Sequence, residues 1–302
     1  MPEAMRIGLI GPGMMGHGIG KNIVEKGYGL AVLGHRNRKP VEDLVARGAT
    51  EARSAGELAR SCDLVITVVT GSPQMEEIVF GTDGILDGLR PGLIVADATT
   101  ADPNSTARIA EAIAGKGGRF VDIPLTRTPK EAEAGKLGVM TGGDPATLAE
   151  IRPVLECFAD TIVHAGDVGA GHKLKLVNNF IALGTAALVC EGLCTAAKAG
   201  IDLQALHEII GAGGANSVMF QRLMGLVLHE DDSALQFVIG NARKDLRYYT
   251  GMAEMLPTTA FIAEAVHQTF VLAANRGHGD AFVPRLVDVL GELNGVRVRA
   301  RA

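Results

Sequence analysis

The sequence predicts an α/β protein in two parts, a parallel β-sheet with helices followed by an all-helical part. Short, continuous apolar runs alternate with helical segments up to about residue 165, which is typical of parallel strands covered on both faces. A glycine-rich turn joins the first apolar run to the first helix. Beyond Gly166 the alternation stops and the remaining segments have helical periodicity. We therefore expect two domains, residues 1–165 and residues 166–302.

The composition excludes several classes of protein. A chain of 302 residues, 47% hydrophobic and 21% charged, is long and apolar enough for about two folded domains. A net charge of −5 without a long basic run argues against nucleic acid as a partner. No uncharged stretch reaches the roughly 18–20 residues of a membrane span, and MPEAMRIGLIG reads as a strand start rather than a signal peptide. We therefore expect a cytoplasmic protein that binds no membrane.

The cysteines and histidines do not have the spacing of metal ligands. Four scattered cysteines are expected to be small buried hydrophobic residues in a reducing compartment. The eight histidines show no paired-ligand pattern, so the sequence predicts no metal site.

Apolar runs and helix signals locate the elements. The predicted strands are Met5–Ile10, Gly29–Leu33, Asp63–Val69, Leu93–Asp97, Arg119–Asp122, Leu137–Thr141 and Thr161–His164. A long helix begins at about His172, and the helices predicted after it are Leu203–Ile210, Ser217–Leu228, Phe237–Met255, Phe261–Arg276 and Val283–Leu293.

The turn after the first strand has the GxGxxG spacing, with Gly11, Gly13 and Gly16. The motif alone is weak, but here a strand precedes it and the helix predicted from Met14 to Lys26 follows it. Such glycines let the turn close and let the backbone approach a pyrophosphate at the helix N-terminus. The turn predicts a Rossmann-type dinucleotide site; a glycine turn without a ligand is the alternative.

The end of the second strand indicates which dinucleotide binds. Enzymes that use NAD place Asp or Glu there to hold the ribose hydroxyls. This chain has GHRNRK at residues 34–39 and no acid until Glu42, so three cations surround the position of a 2′-phosphate. We predict NADP as the cofactor, with NAD as the alternative and Arg36 as the main contact. A solvated basic loop is the other interpretation.

The long helix carries one cation among apolar residues. Lys175 is followed three and four residues later by Asn178 and Asn179, a spacing that puts the polar groups on one side of the helix. The stretch Phe180–Cys190 is uncharged and apolar on nearly every face, so we expect it to be packed on several sides. Lys175 extending to solvent is the alternative to a functional site.

Five stretches, in the same order, resemble one family over almost the whole chain. They are IGLIGPGMMG at residues 7–16, DATTADP at 97–103, FVDIPLTRTPKEAEAGKLGVMTGG at 120–143, GAGHKLKLVNN at 169–179 and KDL at 244–246. The chain is similar to the β-hydroxyacid dehydrogenases, the group of 3-hydroxyisobutyrate dehydrogenase. The resemblance implies that Lys175 is catalytic, that Asn179 with Asn178 holds the substrate, and that Lys244 lies near the cofactor.

The resemblance also implies the wider set of site residues. Residues 1–165 would bind NADP, and residues 166–302 would serve substrate binding and oligomerisation. The candidate cofactor-binding residues are Gly11, Pro12, Gly13, Met14, Met15, Gly16, His35, Arg36, Asn37, Val69, Thr70, Thr99, Phe237 and Lys244.

One departure from the family lies in the substrate loop. Relatives usually have Ser-Gly-Gly where this chain has Thr126, Arg127 and Thr128. Thr126 can keep the hydroxyl contact, and Arg127 adds a cation with a bidentate fork for an acid group. A similar Arg-Thr loop occurs in the sulfolactaldehyde reductases of this family. An outward Arg127 paired with Glu131 is the alternative.

The function implied is hydride transfer between NADP(H) and a small anionic hydroxy acid or its semialdehyde, with Lys175 as general acid and base. A reductase of a sulfonated aldehyde is the first alternative. An imine reductase or a noncatalytic NADP-binding protein is disfavoured by Lys175, because such relatives lack this lysine. Several helices are apolar on more than one face, and relatives are oligomers, so we expect a homodimer or homotetramer.

Overall fold

The computed structural model describes residues 5–300, which divide into two compact units, with the boundary in the chain between Lys175 and Leu176. The first unit holds a sheet and its helices, and the second is all-helical. The sequence places the boundary at residue 165, where the last strand ends. The structure keeps the beginning of the long helix with the sheet unit, because His172 and Lys175 of the helix donate hydrogen bonds to residues of the sheet strands.

The sheet of the first unit contains the seven predicted strands and two short ones that the sequence did not predict. In chain order the strands are β1 Ile7–Ile10, β2 Leu30–Leu33, β3 Thr50–Glu51, β4 Leu64–Thr67, β5 Ile94–Asp97, β6 Arg119–Asp122, β7 Leu125–Thr126, β8 Leu137–Gly142 and β9 Ala159–Gly166. The two additional strands, β3 and β7, have two residues each, too few to show a periodic pattern.

The strand order is β3-β2-β1-β4-β5-β6-β8-β7, with β9 paired to β8. The pairs from β3 to β6 are parallel, which confirms the Rossmann-type prediction. The sheet is mixed beyond that point, because β8 runs antiparallel to both β6 and β7 and parallel to β9. The predicted fold class is confirmed, with a parallel-dominated sheet whose antiparallel pairs all involve β8.

Eight helices accompany these strands within the described part of the first unit, before the long helix. They are α1 Gly16–Glu25, α2 Lys39–Ala46, α3 Ala55–Ser61, α4 Ser72–Phe80, α5 Ile85–Gly88, α6 Pro103–Gly115, α7 Pro129–Glu133 and α8 Pro145–Phe158. Alternate residues of a strand enter apolar clusters on opposite faces of the sheet: Leu64 and Ile66 enter one cluster and Val65 the other. The sheet is thus covered on both sides, as its continuous apolar strands predict.

The helical part begins with the long helix and continues through five more α-helices of the described chain. They are α9 Ala170–Lys198, α10 Leu203–Gly211, α11 Val218–His229, α12 Ile239–Met255, α13 Phe261–Ala273 and α14 Leu286–Leu293. Their shared core includes the fully buried Phe220 and Phe270. Cys190 and Cys194 are also buried here, and Cys62 and Cys157 are buried in the first unit, all as free thiols, which confirms that the four cysteines are small buried residues.

The prediction that Phe180–Cys190 is buried and packed on several sides holds for only one face of the helix in the single chain. Leu183, Ala186 and Cys190 lie in the core of the second unit, whereas Ile181 is 62% and Leu188 74% exposed. Helical spacing places the last two on one face of α9, with Val177 (38% exposed) one turn before them. The helix thus has one buried face and one exposed apolar face.

By length and composition alone α9 could cross a membrane, since an 18-residue window has a mean hydropathy of 1.7. Only 39% of that window is buried within the structure. One such helix is weak evidence, because core helices of soluble proteins pass the same test. The expectation of no membrane partner stays a prediction.

Candidate active site

The glycine turn between β1 and α1 has the geometry that a nucleotide pyrophosphate requires. A Cβ on Gly11 would come within 2.3 Å of the Val68 carbonyl oxygen, and one on Gly16 within 2.2 Å of the Gly11 carbonyl oxygen. A Cβ on Gly13 would meet none of the described atoms within 4 Å, so this backbone faces open space. Met15, at the helix N-cap, supplies no side-chain hydrogen bond. The helix N-terminus is therefore accessible to an anion, which fits a dinucleotide.

Three of the predicted cofactor residues lie at the carboxyl ends of β4 and β5. The Val69 N–H donates to Thr99 Oγ1 at 3.2 Å, and Thr70 beside it is exposed. Both Thr99 N and the Thr67 hydroxyl donate to the buried Asp97 Oδ1 at 2.9 Å. Sequence reasoning gave Asp97 no role, although it begins the DATTADP motif. It holds together the sheet edge where ligands of such folds bind.

The cations at the corner after β2 differ in whether they have an ion-pair partner. His35, Arg36 and Asn37 are all exposed. Arg38 forms an ion pair with Glu51 on β3 at 2.7 Å, whereas Arg36 has no ion-pair partner among residues 5–300. Arg36 is therefore available to a ligand phosphate, and Arg38 is already paired with a carboxylate.

The N-terminus of α9 is attached to the end of β6 by a buried carboxylate. Asp122, fully buried, accepts hydrogen bonds from the backbone N–H of Gly169 at 2.6 Å and of His172 at 2.7 Å. These N–H groups belong to the first turn of a helix, where no intrahelical acceptor exists. The contact fixes α9 to the strand that leads into the substrate loop.

One turn further along α9, the half-buried Lys175 contacts the same segment. Its Nζ donates to the Leu125 carbonyl oxygen at 2.5 Å. Leu125 immediately precedes Thr126, the first residue of the predicted substrate loop. The structure thus brings the predicted catalytic residue to the predicted substrate loop, although the two are about 50 residues apart in sequence.

The side chain of Arg127 is exposed and already has partners within the first unit. Its guanidinium pairs with Asp160 at 2.8 Å and donates to Thr161 Oγ1 at 3.2 Å and to the Lys136 carbonyl oxygen. Hydrogen bonds from Arg127 and Thr161 hold the pKa of Asp160 below its ordinary value. An exposed and paired Arg127 resembles the alternative interpretation, but with Asp160 as the ion-pair partner in place of Glu131. Arg127 has φ +76°, a conformation that explains why relatives can have glycine at this position.

The two threonines of the loop, Thr126 and Thr128, make different contacts. Both the backbone N–H and the hydroxyl of Thr128 donate to Glu131 Oε2, a capping arrangement at the start of α7. Thr126 packs over Gly138 of β8, where a Cβ would come within 2.2 Å of Thr126 Oγ1. The Thr128 hydroxyl is thus committed to helix capping.

In the second unit the predicted polar residues form a chain that ends on a buried carboxylate. Asn178 Nδ2 donates to Asn179 Oδ1 at 3.1 Å, and Asn179 Nδ2 donates to Asp245 Oδ2 at 2.7 Å. Lys244 Nζ lies 3.0 Å from Asp245 Oδ1. Phe237 is half-buried beside the helical core. Sequence reasoning quoted Asp245 only as part of KDL and missed its function as the common partner.

A second cluster that the sequence did not predict lies on α1. His17 Nδ1 is 2.6 Å from Glu133 Oε1 of α7, and Nε2 is 2.8 Å from Asp43 Oδ2 of α2. Burial lowers the pKa of His17, but hydrogen bonds to the two carboxylates outweigh burial and leave the pKa above its ordinary value. Within residues 5–300 no group of three or more His, Cys, Asp or Glu side chains could hold a metal ion.

Two family models match most of the chain. Residues 6–166 match the model for the NAD binding domain of 6-phosphogluconate dehydrogenase. Residues 169–290 match the model described as NAD-binding of NADP-dependent 3-hydroxyisobutyrate dehydrogenase. The chain belongs to the β-hydroxyacid dehydrogenase family. As a member, it is an oxidoreductase that acts on CH–OH groups with a nicotinamide cofactor.

Relatives of this dehydrogenase cover most of its length. Glyoxylate/succinic semialdehyde reductase 1 of Arabidopsis thaliana is 29% identical over 91% of this chain and 95% of its own. 2-(Hydroxymethyl)glutarate dehydrogenase of Eubacterium barkeri is 30% identical over 82% of this chain and 81% of its own. The crystal structure of 3-hydroxyisobutyrate dehydrogenase from Salmonella typhimurium superimposes with a TM-score of 0.82, at 26% identity, over 94% of this chain and 99% of its own.

Proposed function

We propose that this dehydrogenase transfers hydride between NADP(H) and a small hydroxy acid or its semialdehyde, with Lys175 as general acid and base. The observation that carries the proposal is the Lys175 ammonium at the Leu125 carbonyl, next to Thr126 and four residues before Asn179. When bound, the nicotinamide supplies the hydride chemistry. In reduction the substrate carbonyl carbon gains the hydride and its oxygen gains a proton from Lys175. Oxidation reverses both transfers, and Lys175 takes the hydroxyl proton.

Asn179, Asn178 and Thr126 are the groups proposed to hold the substrate. Asn179 is 8% exposed and its amide is fixed by hydrogen bonds, which suits a group that orients a ligand. Thr126 supplies a hydroxyl at the residue after Leu125. Position and electrostatics are what these side chains contribute, since correct placement of reacting groups lowers the barrier substantially.

NADP is the proposed cofactor, with Arg36 as the contact to the 2′-phosphate. Support comes from the ion pairs of the corner after β2, because Arg38 is engaged by Glu51 while Arg36 is exposed. The open backbone at Gly13 and the N-terminus of α1 would take the pyrophosphate. Val69, Thr70 and Thr99 would line the sheet edge beside it.

We propose an anionic substrate of a few carbons. The two relatives above are named for glyoxylate, succinic semialdehyde and 2-(hydroxymethyl)glutarate, all of which carry a carboxylate. The sulfonated-aldehyde alternative rested on Arg127, and the ion pair of that residue with Asp160 weakens it. A noncatalytic NADP-binding protein would not need an ammonium beside the substrate loop, so Lys175 favours the enzyme.

The exposed apolar face of α9 supports the proposal of a homodimer or homotetramer. Ile181 and Leu188 would be buried by association, as would Phe261, which is 84% exposed at the start of α13. Light scattering at micromolar concentration is expected to show an oligomer. A monomer would contradict this part of the proposal.

A substrate panel tests the proposed function. Glyoxylate, succinate semialdehyde, methylmalonate semialdehyde and a sulfonated aldehyde would each be offered with NADPH and with NADH, and oxidation of the cofactor followed by absorbance. Turnover of a carboxylated aldehyde with NADPH preferred is the expected result. Lack of turnover with any substrate and either cofactor would contradict it and favour the noncatalytic alternative.

A further inference from the structure

Asp245 is a buried carboxylate that contacts two residues of different predicted function. It is 3% exposed, and its two oxygens face different partners. Oδ2 accepts from Asn179 of α9 at 2.7 Å, and Oδ1 lies 3.0 Å from the Lys244 ammonium on α12. One side chain thus joins the residue proposed to hold the substrate to the residue placed near the cofactor by family resemblance.

We propose that Asp245 is a positioning residue of the reaction, which sets the orientation of the Asn179 amide and, with it, the affinity for substrate. This inference rests on the proposed function, in which Asn179 binds the substrate. Asp245 acts through Asn179 and does not itself contact the reacting atoms.

The orientation follows from the hydrogen-bonding chemistry of an amide. An asparagine side chain has a donor end and an acceptor end of nearly equal shape, so packing alone does not distinguish them. An ionised carboxylate only accepts hydrogen bonds, which requires the NH₂ end of Asn179 to face Asp245. The Oδ1 end then accepts from Asn178 at 3.1 Å. A substrate therefore meets the second N–H and the remaining Oδ1 lone pair of Asn179, in a fixed arrangement.

Burial strengthens the hydrogen bond between Asp245 and Asn179, but it also imposes a desolvation penalty on the carboxylate. A charged hydrogen bond is strengthened where water is excluded, and Asn179 is itself only 8% exposed. A buried carboxylate carries a desolvation penalty, and apolar residues of similar volume often stabilise a fold as well or better. The acid in this position is therefore better explained by its control of Asn179 than by the stability of α12.

The pairing of Asp245 with Lys244 predicts opposite effects on the substrate and on the cofactor. Asp245 neutralises part of the positive charge of Lys244, whose Nζ also lies 5.0 Å from the centre of the Tyr248 ring. Loss of the carboxylate leaves more positive charge for an anionic cofactor. Replacement of Asp245 should therefore weaken substrate use without weakening cofactor binding, whereas a general loss of structure would weaken both.

The test is a double-mutant cycle on kcat/KM with succinate semialdehyde and NADPH. Asp245→Asn removes the charge, retains the shape and should lower kcat/KM by roughly ten-fold or more, the usual effect of losing a charged hydrogen bond. In an Asn179→Ala background the same change should lower kcat/KM little further, because the amide through which Asp245 acts is absent. Equal fold losses in both backgrounds would overturn the proposal. Asn179→Ser provides a second background if the alanine variant fails to fold.

Asp288→Asn is the matched control. Asp288 is a partly buried carboxylate in the same unit, paired with Arg299 and Arg285, and the change is chemically identical. Asp288→Asn should cause at most a small fall in melting temperature and should leave kcat/KM and the Kd for NADPH unchanged. Asp245→Asn should keep or tighten the Kd for NADPH measured by calorimetry. A weaker Kd in step with kcat/KM would assign Asp245 to the fold instead.

A spectroscopic measurement separates this inference from the proposed function. Absence of turnover in the wild type would refute the proposed function, but the ¹⁵N side-chain amide signals of Asn179 can still be assigned by their loss in Asn179→Ala. Asp245→Asn should shift these signals, and Asp288→Asn should leave them in place. Unchanged Asn179 signals in Asp245→Asn would show that the carboxylate does not set the amide, and would overturn the inference whatever the activity.

Discussion

Lys175 Nζ and the Leu125 carbonyl oxygen are 2.5 Å apart, so the ammonium of α9 is hydrogen-bonded to the residue that begins β7. Asp122, three residues before Leu125, also holds the first turn of α9. The helix and the segment that leads into the substrate loop are therefore joined at two points. In the proposed reaction the substrate oxygen would replace or share the Leu125 oxygen as the partner of Lys175.

The first prediction concerns Asp122. Asp122→Ala leaves the N–H groups of Gly169 and His172 buried without their acceptor, so the free energy of unfolding should fall by about 1.5–3 kcal/mol. Asp122→Asn retains one acceptor and should lose less. Chemical denaturation measures both variants. Equal stability of the wild type and the alanine variant would contradict the capping role.

The second prediction concerns Arg36 and cofactor choice. Arg36→Ala should weaken NADPH by roughly ten- to a hundred-fold, the equivalent of one charged hydrogen bond, and leave NADH nearly unchanged. Arg38→Ala is the control, since its guanidinium is occupied by Glu51. Calorimetric titration of both cofactors decides the matter. Equal losses for NADPH and NADH, or a wild type that prefers NADH, would assign the corner another function.

The third prediction concerns Arg127. Its φ of +76° costs an L-residue roughly 1–2 kcal/mol that glycine avoids, so Arg127→Gly should be more stable than Arg127→Ala by about that amount. With its guanidinium on Asp160, neither change should alter KM for succinate semialdehyde more than KM for the neutral butyraldehyde. A ten-fold rise confined to the anionic substrate would show that Arg127 binds the acid group after all.

The fourth prediction is a pH dependence of stability from His17. Its pKa in the folded protein lies above the reference value of 6.5, because hydrogen bonds to Glu133 and Asp43 outweigh burial. The stabilisation is therefore fully present below pH 6.5 and is lost as the pH rises through the folded pKa. The melting temperatures of wild type and His17→Gln should differ most in acid and converge as the pH rises. A difference that does not change with pH would exclude this account.

The other ion pairs around His17 are present in both the wild type and His17→Gln. Lys21 lies 3.7 Å from Glu133, and Arg47 pairs with Asp43 at 2.6 Å, so both carboxylates keep a cation when His17 becomes neutral. The variant and the wild type share these pairs. Their common pH dependence therefore cancels in the difference.

The sequence alone predicted the elements whose signal is local. The continuous apolar strand Leu64–Thr67 and the glycine turn at Gly11–Gly16 occur where they were predicted, because apolar periodicity and glycine spacing reflect nearby backbone geometry. The long helix with Lys175 was recognisable for the same reason.

Contacts between distant residues were not predictable in this way. The partner of Arg127 is 33 residues away and that of Asn179 is 66 residues away, so neither pair leaves a periodic pattern. The apolar stretch around Leu188 was interpreted as buried because composition reports hydrophobicity but not which face meets a partner. Short strands such as β7 form only because β8 is beside them.

The central claim is that Lys175 is the general acid and base, and one comparison tests it most directly. Lys175→Met retains the aliphatic stem and removes the transferable proton, while Lys173→Met makes the same change at an exposed position of the same helix. With succinate semialdehyde and NADPH, kcat of Lys175→Met should fall by about 10²–10⁴, the usual contribution of general acid–base catalysis. The Kd for NADPH should stay unchanged, and Lys173→Met should behave as the wild type. Near-normal turnover by Lys175→Met would contradict the account.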